Sequence, residues 1–343
     1  NGHVIMLMSP VVNGDTPTAQ CETEGYVAGF FDEEDFDPAS DPNSNQGEIF
    51  YSVVPDPTGA YSCTHTVSDL QNDVPAVFLH ELQHLIDFGT HVIKNGGQPE
   101  SSWLDEGLSI VAEELGSLHY ESQCPPPSCR TNPAQLFPDS SQGFISDFFY
   151  DGYEYALLPD TASLTLHTDS DDGFAWRGGD WQMMRYLADQ FGTSVYKKLE
   201  NGVADGITNI QNVTGQPFNT TLANFGMALY TDSLPGLPRT TAPMQYRFVT
   251  RNMRQLWNRL YTTTVAEFGV ATSDVPYAMP LYLYPITTDT TSSLMDPGTM
   301  SFYRLDTPSG SATVTIRFSA PGGVALQPLL HPQLSIYRLP PGQ

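Results

Sequence analysis

Hydrophobic residues in the first part of the chain form short runs that are separated by polar and acidic loops. Such runs occur at Val4–Met8, Gly25–Phe31 and Glu48–Val54, and the last one is followed by a turn rich in proline and glycine at Pro55–Gly59. Short apolar runs that are bounded by turn residues are typical of β-strands. The pattern therefore predicts an N-terminal β subdomain.

From Asp73 onward the apolar positions recur with the period of a helix. The segment Asp73-Val74-Pro75 offers an acidic cap and an early proline, and Gly89 offers a stop. These signals predict one strong helix between them. Further helices are predicted over 101–115 and 179–191 and near 192–200, 220–230 and 247–261. Together they form a predicted helical lobe.

After about residue 275 the pattern resembles β-structure again. Leu281–Tyr284, Ala312–Phe318 and Leu334–Tyr337 are rich in β-branched and aromatic residues and are separated by proline and glycine. A chain of 343 residues can bury one large core and a second small one. We therefore expect an α+β fold with one large domain over 1–275 and a small β-rich accessory module over 276–343.

The charge of the chain narrows the classes of partner. There are 39 acidic and 14 basic residues, which give a net charge of −25. So few cations cannot neutralise phosphates, which argues against nucleic acid and anionic membranes as partners. No apolar run is long enough to span a bilayer. The sequence opens on Asn1-Gly2-His3 without a visible signal peptide, and we expect a mature or trimmed chain that is a monomer.

The four cysteines indicate the redox compartment. None lies in a Cys-x-x-Cys pair, and their spacing is unfavourable for a structural zinc. The proline-rich loop from Cys124 to Cys129 suits a small disulfide ring, so we favour Cys21–Cys63 and Cys124–Cys129 among the three pairings. Disulfides imply an oxidising compartment, and we expect a secreted protein.

The segment His80-Glu81-Leu82-Gln83-His84 carries the candidate chemistry. On a helix, His80 and His84 lie on one face about a turn apart, so both imidazoles can bind one cation. Glu81 projects beside that face, where a carboxylate can act as general base on a water that Zn²⁺ activates. The five-residue pattern also recurs by chance, but this copy lies in an apolar helix, where unpaired polar groups are costly. We expect a zinc site.

A catalytic zinc needs a third protein ligand. His91 lies seven residues after the second histidine (91 − 84), one residue beyond the metzincin spacing, and Asp87 lies on the same helix as that histidine. Glu106 lies 22 residues beyond His84 (106 − 84), which lets a second helix return against the first. Glu113 falls two turns after Glu106, where we expect it to hydrogen-bond a ligating histidine. The alternative for Glu113 is a solvated acidic edge.

These residues resemble a known family. His-Glu-x-x-His followed by Trp-Leu-x-Glu-Gly is similar to the gluzincin clan of zinc peptidases, and further segments resemble the hyicolysin-like metallopeptidases over about residues 3–235. Those segments are Tyr26–Phe31, Asn45–Tyr51 with Pro55–Pro57, Trp103–Ser109 and Arg185–Gly192. The resemblance implies a zincin-like catalytic domain and a secreted zinc metalloendopeptidase. It also implies that His80, His84 and Glu106 bind the metal and that Glu81 is the base.

The oxyanion donor is open at the sequence level. Aminopeptidase-like relatives of this clan carry a tyrosine just before the helix that matches Trp181–Phe191, but Ala175–Asp180 contains none. Arg177, Tyr155 and Tyr153 are candidate donors. The alternatives are packing for the tyrosines and an ion pair for the arginine.

The sequence also suggests how a substrate binds, where calcium could bind and what the alternative function is. In the gluzincin clan an edge strand pairs with an extended peptide, and we assign that role to Glu48–Val54, with a core strand as the alternative. Asp169–Gly173 resembles a Ca²⁺ loop, with an acidic turn as the alternative. A catalytically inactive, zinc-bearing extracellular binding or adhesion protein is the alternative function.

Overall fold

A computed structural model describes residues 3–36, 42–124, 137, 142–166, 174–238, 240–268, 270–287, 295–306, 314–328 and 331–339. The chain divides into two compact units. Unit 1 comprises Asn1–Phe148 and Tyr196–Asn209, and unit 2 comprises Phe149–Val195 and Ile210–Gln343. Helices predominate and strands are few, which agrees with the α+β class. The predicted domain boundary at residue 275 stays a prediction.

A three-stranded sheet lies in unit 1. Its strands are β1 (Ile5–Met8), β2 (Gly29–Phe31) and β3 (Ile49–Ser52), in the order β1-β3-β2. β1 runs parallel to β3 and β2 runs antiparallel to it. All three strands were predicted, but the edge position assigned to Glu48–Val54 is wrong. β3 is the middle strand because both of its sides are paired, and β2 forms an edge of this sheet.

After α1 (Pro10–Asp15) and α2 (Thr18–Glu24), the main helix of unit 1 is α3 (Val67–Asp87). It begins six residues before the predicted Asp73 (73 − 67), because Thr66 and Asp69 form a capping box that satisfies backbone N–H groups at this end. Pro75 therefore lies inside the helix. The predicted stop at Gly89 is wrong as well, since the chain continues through it as a π-helical segment, Phe88–Lys94.

The second long helix of unit 1 is α4 (Ser102–Gln123), which packs along α3. Leu104, Leu108 and Val111 are buried on α4, so this helix has an apolar face at helical spacing. Its partner face on α3 includes Leu79, whose side chain lies against Gly116 so closely that an added Cβ would meet it at 2.6 Å. Burial of this helix pair fixes where their polar side chains meet.

The remaining helices follow in chain order. They are α5 (Gln142–Leu157), α6 (Ala175–Phe191), α7 (Ser194–Glu200), α8 (Gly206–Thr214), α9 (Phe218–Thr231) and α10 (Met253–Phe268). Four of the helices were not predicted, namely α1, α2, α5 and α8. Unit 2 has an aromatic core in which Phe149 contacts Trp181 and Phe225 contacts Phe248.

The described residues after position 275 contain less β-structure than the sequence predicts. The strands β4 (Tyr284–Pro285) and β5 (Tyr303–Arg304) form a short parallel pair. The described parts of the other two predicted strands, 314–318 and 334–337, are not strands. Their β-rich composition was misleading because a strand requires a hydrogen-bonded neighbour, and none of the described residues pairs with them.

A disulfide joins Cys21 to Cys63, as predicted. Cys124 is also disulfide-bonded, and its predicted partner Cys129 lies outside the described residues. Such bonds fit an extracellular protein. Within the described ranges, no helix combines the length and the apolar character that crossing a bilayer requires.

Candidate metal centre

Three side chains that the sequence predicts as metal ligands converge between α3 and α4. The Nε2 atom of His80 lies 3.3 Å from Oε2 of Glu106, and Nε2 of His84 lies 4.0 Å from Oε1 of the same carboxylate. One ligand atom from each of the three residues lies within 4.8 Å of the others. Two imidazole nitrogens and one carboxylate oxygen are a donor set that suits Zn²⁺, so these residues fit the predicted metal.

Helical geometry explains why the two histidines share one site. His80 and His84 are four residues apart on α3, and their ring centroids lie 4.8 Å apart with the planes at 73°. Glu106 belongs to the second turn of α4, and the packing of α4 against α3 brings its carboxylate to the two rings. The proximity of the two histidines is set locally by the helix, whereas the position of Glu106 beside them depends on how the helices pack.

Both imidazole rings are also contacted at Nδ1, the ring nitrogen that does not face Glu106. Nδ1 of His80 lies 2.7 Å from Oε1 of Glu113, and Nδ1 of His84 lies 2.8 Å from Oδ2 of Asp105 and 3.1 Å from Oγ of Ser109. A carboxylate that accepts from Nδ1–H fixes the neutral tautomer in which Nε2 can bind a cation. The predicted role of Glu113 is confirmed in its geometry, and its solvated alternative does not apply.

Electrostatics at the two histidines favour a positive charge. Burial disfavours the charged form of His80, but hydrogen bonds with Glu106 and Glu113 outweigh this and raise its pKa to about 10. At His84, burial is likewise outweighed by Asp105, and the pKa is raised. A proton on these rings and a metal cation compete for the same nitrogens, so metal binding at this centre releases protons.

Glu81, the predicted base, is held by the edge strand of the sheet. Its Oε2 accepts a hydrogen bond of 3.0 Å from the backbone N–H of Phe31 in β2. Burial raises the pKa of Glu81, while the nearby His80 and His84 oppose that shift. The carboxylate is thus fixed at one oxygen beside the two histidines.

The predicted oxyanion donors lie in unit 2. Tyr155 is fully buried, and its hydroxyl has no hydrogen-bond partner among the described residues. The hydroxyl of Tyr153 donates to the carbonyl of Tyr277 and accepts from its N–H, both at 2.8 Å. The Arg177 guanidinium lies over the rings of Phe174 and Trp176. Their roles stay predictions. The candidate calcium loop, 169–173, lies outside the described residues.

Several residues around the site were not predicted from the sequence. Asp105 immediately precedes Glu106 in the chain, and this adjacency was the available signal. A second feature is a buried polar cluster that consists of Asp87, His91, Glu100, Glu200 and Asn209, of which only His91 and Asp87 were considered from the sequence. Nδ1 of His91 lies 3.6 Å from Oδ1 of Asp87 and 3.9 Å from Oε2 of Glu100. His91 and Asp87 are thus structural neighbours behind the centre, and neither belongs to the ligand group.

Comparison with known proteins identifies no family. A scan against protein-family models gave no match, and a search of curated proteins gave no significant relative. The resemblance to gluzincins stays a prediction that rests on the residues of this chain. The geometry shows a centre that can hold a metal ion.

Proposed function

We propose that this chain is a secreted, zinc-dependent endopeptidase of the gluzincin type with a zincin-like catalytic domain. One observation carries the proposal. Two imidazoles, each oriented through Nδ1 by a carboxylate, turn Nε2 towards Glu106, and a half-buried Glu81 lies beside them. A structural histidine pair does not need this arrangement, whereas a His₂Glu metal site does.

The metal would be held by Nε2 of His80, Nε2 of His84 and the carboxylate of Glu106. When bound, zinc supplies a Lewis acid and lowers the pKa of a water molecule. Glu113 and Asp105 keep both histidines in the tautomer that binds a cation. The α3–α4 packing holds these groups on rigid helices, which keeps the site ordered before a substrate arrives.

Glu81 moves the proton in this proposal. Its Oε2 is engaged by the amide of Phe31, so Oε1 is the atom that accepts a proton from the attacking water and later delivers it to the leaving amine. Burial raises the pKa of Glu81 and makes it a stronger base than an exposed carboxylate. The hydrogen bond from Phe31 keeps that basicity moderate, because it stabilises the charged form.

The substrate would bind as an extended peptide at β2 rather than at β3. The carbonyl of Ala28 accepts from Val53 on the β3 side, and backbone groups alternate along a strand, so Gly29 and Phe31 direct theirs away from β3. The N–H of Phe31 donates to Glu81, so this side of β2 lies next to the candidate metal centre. Backbone pairing there would hold peptides of many sequences beside the metal.

A Glu81→Gln variant tests the proposal. We expect it to keep stoichiometric zinc and to lose casein cleavage, because glutamine cannot accept the proton. Glu22→Gln removes one exposed carboxylate from α2 and serves as the matched control, which should cleave as the wild type does. A chelator should abolish wild-type cleavage, and added Zn²⁺ should restore it.

The outcomes separate the alternatives. Unchanged casein cleavage by Glu81→Gln rejects the assignment of the base. A wild-type protein that binds zinc but cleaves no peptide in a diverse library supports the inactive binding protein. A purified protein that binds no zinc contradicts both functions. The oxyanion donor is tested separately, by the turnover of Arg177→Ala and Tyr155→Phe.

A further inference from the structure

Three phenylalanine rings lie side by side next to the candidate metal centre. Phe31, Phe36 and Phe88 form this group, which we call the aromatic wall. The rings of Phe31 and Phe36 meet edge to face with centroids 5.4 Å apart, and the centroids of Phe36 and Phe88 lie 6.3 Å apart. All three residues are half-buried, so each keeps an accessible surface. The chemistry of the metal centre does not use these rings, and their position calls for a separate explanation.

The aromatic wall begins at the residue that holds the candidate base. The N–H of Phe31 donates to Oε2 of Glu81 at 3.0 Å. Phe31 pairs with Phe50, whose ring contacts Phe78 of α3, so the Phe31 side chain lies on the face of the sheet that is turned to α3. Phe88 follows Glu81 by seven residues (88 − 81), or two helical turns, and shares its face of the helix. The wall therefore extends from Glu81 for roughly 10 Å along α3.

The middle ring of the wall is held in place by a short helical turn. Phe36 follows the 3₁₀ turn Glu33–Asp35, and its N–H donates to the first two carbonyls of that turn. The carboxylate of Asp35 is buried, accepts a 2.6 Å hydrogen bond from the N–H of Asn45 and also accepts from the hydroxyl of Tyr51. The aromatic wall is thus preorganised, which lowers the entropy lost when a ligand packs on it.

The direction of a bound peptide decides which of its side chains meet the wall. This step rests on the proposed function, in which an extended peptide pairs with the free edge of β2. Antiparallel pairing is the more stable kind per residue, and an antiparallel peptide runs from the Phe31 end of β2 to the Gly29 end. The scissile bond lies beside Glu81, so the residues next to the wall precede that bond. A wall of this length spans about three residues of an extended chain.

The composition of the wall and of its neighbouring loop selects the side chain. Phenyl rings gain free energy when apolar surface packs on them, and most when that surface is aromatic. The residues directly before Phe36 are Asp32-Glu33-Glu34-Asp35, and the two glutamates are exposed, so an acidic side chain is repelled there. We propose that the aromatic wall selects substrates with an aromatic or large aliphatic side chain, and against acidic ones, within about three residues before the scissile bond.

Cleavage-site mapping in a diverse peptide library tests the preference. We expect Phe, Tyr, Leu and Met to be enriched, and Asp and Glu to be depleted, at the positions before the scissile bond. Two synthetic substrates that differ only by Phe or Ala at the most enriched position then give the ratio of kcat/KM. This ratio should be at least tenfold in the wild type. Enrichment only after the scissile bond, or no enrichment, overturns the proposal.

Three variants assign the preference to the wall, with zinc content as a check on folding. Phe36→Ala should lower the Phe-to-Ala ratio to about twofold or less, because it removes the middle ring. Phe36→Leu should keep most of the ratio, since leucine restores apolar surface. Phe318→Ala removes an exposed phenylalanine outside the wall and should keep the wild-type ratio. A purely structural role of Phe36 would lower cleavage of both substrates equally, so an unchanged ratio in Phe36→Ala overturns the proposal.

Binding without cleavage separates this inference from the proposed function. Isothermal titration of the metal-free protein uses blocked alanine hexapeptides with Phe, Ala or Glu at the third position. We expect the Phe peptide to bind most tightly and the Glu peptide least tightly, and the advantage of Phe should be lost in Phe36→Ala. A wild type that cleaves no peptide but shows this order contradicts the peptidase and supports the wall. Equal affinity for the Phe and Ala peptides, or no measurable binding of either, overturns the wall even if cleavage is observed.

Discussion

The hydrogen bond between Glu113 and His80 gives the sharpest prediction about the metal centre. Oε1 of Glu113 lies 2.7 Å from Nδ1 of His80, and the two side chains are only 14% and 10% exposed. Glu113→Gln keeps an oxygen that can accept from Nδ1–H but removes the negative charge. Glu113→Ala removes both the charge and the acceptor. The two variants therefore separate the charge from the hydrogen bond.

The expected loss of zinc affinity follows from the strength of a hydrogen bond to a charged group in this poorly exposed pair. A hydrogen bond to a charged group contributes about 1.5–3 kcal/mol, and each tenfold change in affinity corresponds to about 1.4 kcal/mol. Loss of both charge and acceptor should weaken zinc binding about 100-fold, and loss of charge alone about tenfold. Mutation of a residue that hydrogen-bonds a metal-bound histidine typically lowers the metal affinity by about 10- to 100-fold. The order of affinity should be wild type, then Glu113→Gln, then Glu113→Ala.

Competition with a chromophoric zinc chelator at fixed pH measures these affinities. Glu22→Gln serves again as the control for loss of one acidic charge, and circular dichroism checks that every variant is folded. If Glu113→Ala binds zinc within twofold of the wild type, the idea that Glu113 fixes the His80 tautomer is refuted. An equal loss in both variants would show that the charge carries the whole effect.

Two further predictions concern stability. Serine at both Cys21 and Cys63 opens a link across 42 residues, which should lower the free energy of unfolding by about 4 kcal/mol in urea at pH 7; a change below about 1 kcal/mol contradicts this. Burial raises the pKa of Glu200 from its ordinary 4.5 to about 9, so the folded state holds this proton more tightly than the unfolded state. Its contribution to stability is therefore complete below pH 4.5 and is lost as the pH rises towards 9. Glu200→Gln should flatten the decline in unfolding free energy between pH 5 and 9, and an unchanged slope contradicts the assignment.

Strand positions were predictable, but their order in the sheet was not. The apolar runs around Ile5, Phe30 and Phe50 marked three strands correctly, because short apolar runs bounded by turn residues are a local signal, although the side chains of β1 are exposed rather than buried. Which strand lies in the middle depends on pairing between distant segments. The sequence therefore predicted β3 as an edge strand, whereas β3 lies in the middle of the sheet. The strand whose backbone N–H binds Glu81 is β2.

Helix ends show the same division. The start of α3 is set by Thr66 and Asp69, which form a capping box upstream of the first strongly apolar stretch, whereas Pro75, which indicates a helix start by itself, lies inside the helix. At the other end Gly89 did not stop the helix, because the chain continues as a π-helical segment through His91, which is buried beside Asp87. Burial of that histidine is a tertiary contact that no local stop signal reveals.

The sequence by itself determined which residue types are present at the site and how far apart the two histidines lie along α3. His80 and His84 must lie one turn apart on any helix that contains them, since the rise and period of a helix are set locally. The sequence also indicated Glu106 and Glu113 as their partners, but only the tertiary structure shows which ring each carboxylate meets and adds Asp105. Glu106 meets both Nε2 atoms, Glu113 supports one ring and Asp105 supports the other, because the apolar faces of α3 and α4 bury each other in one register. That register is a property of the packed helices, and no local pattern in either helix specifies it.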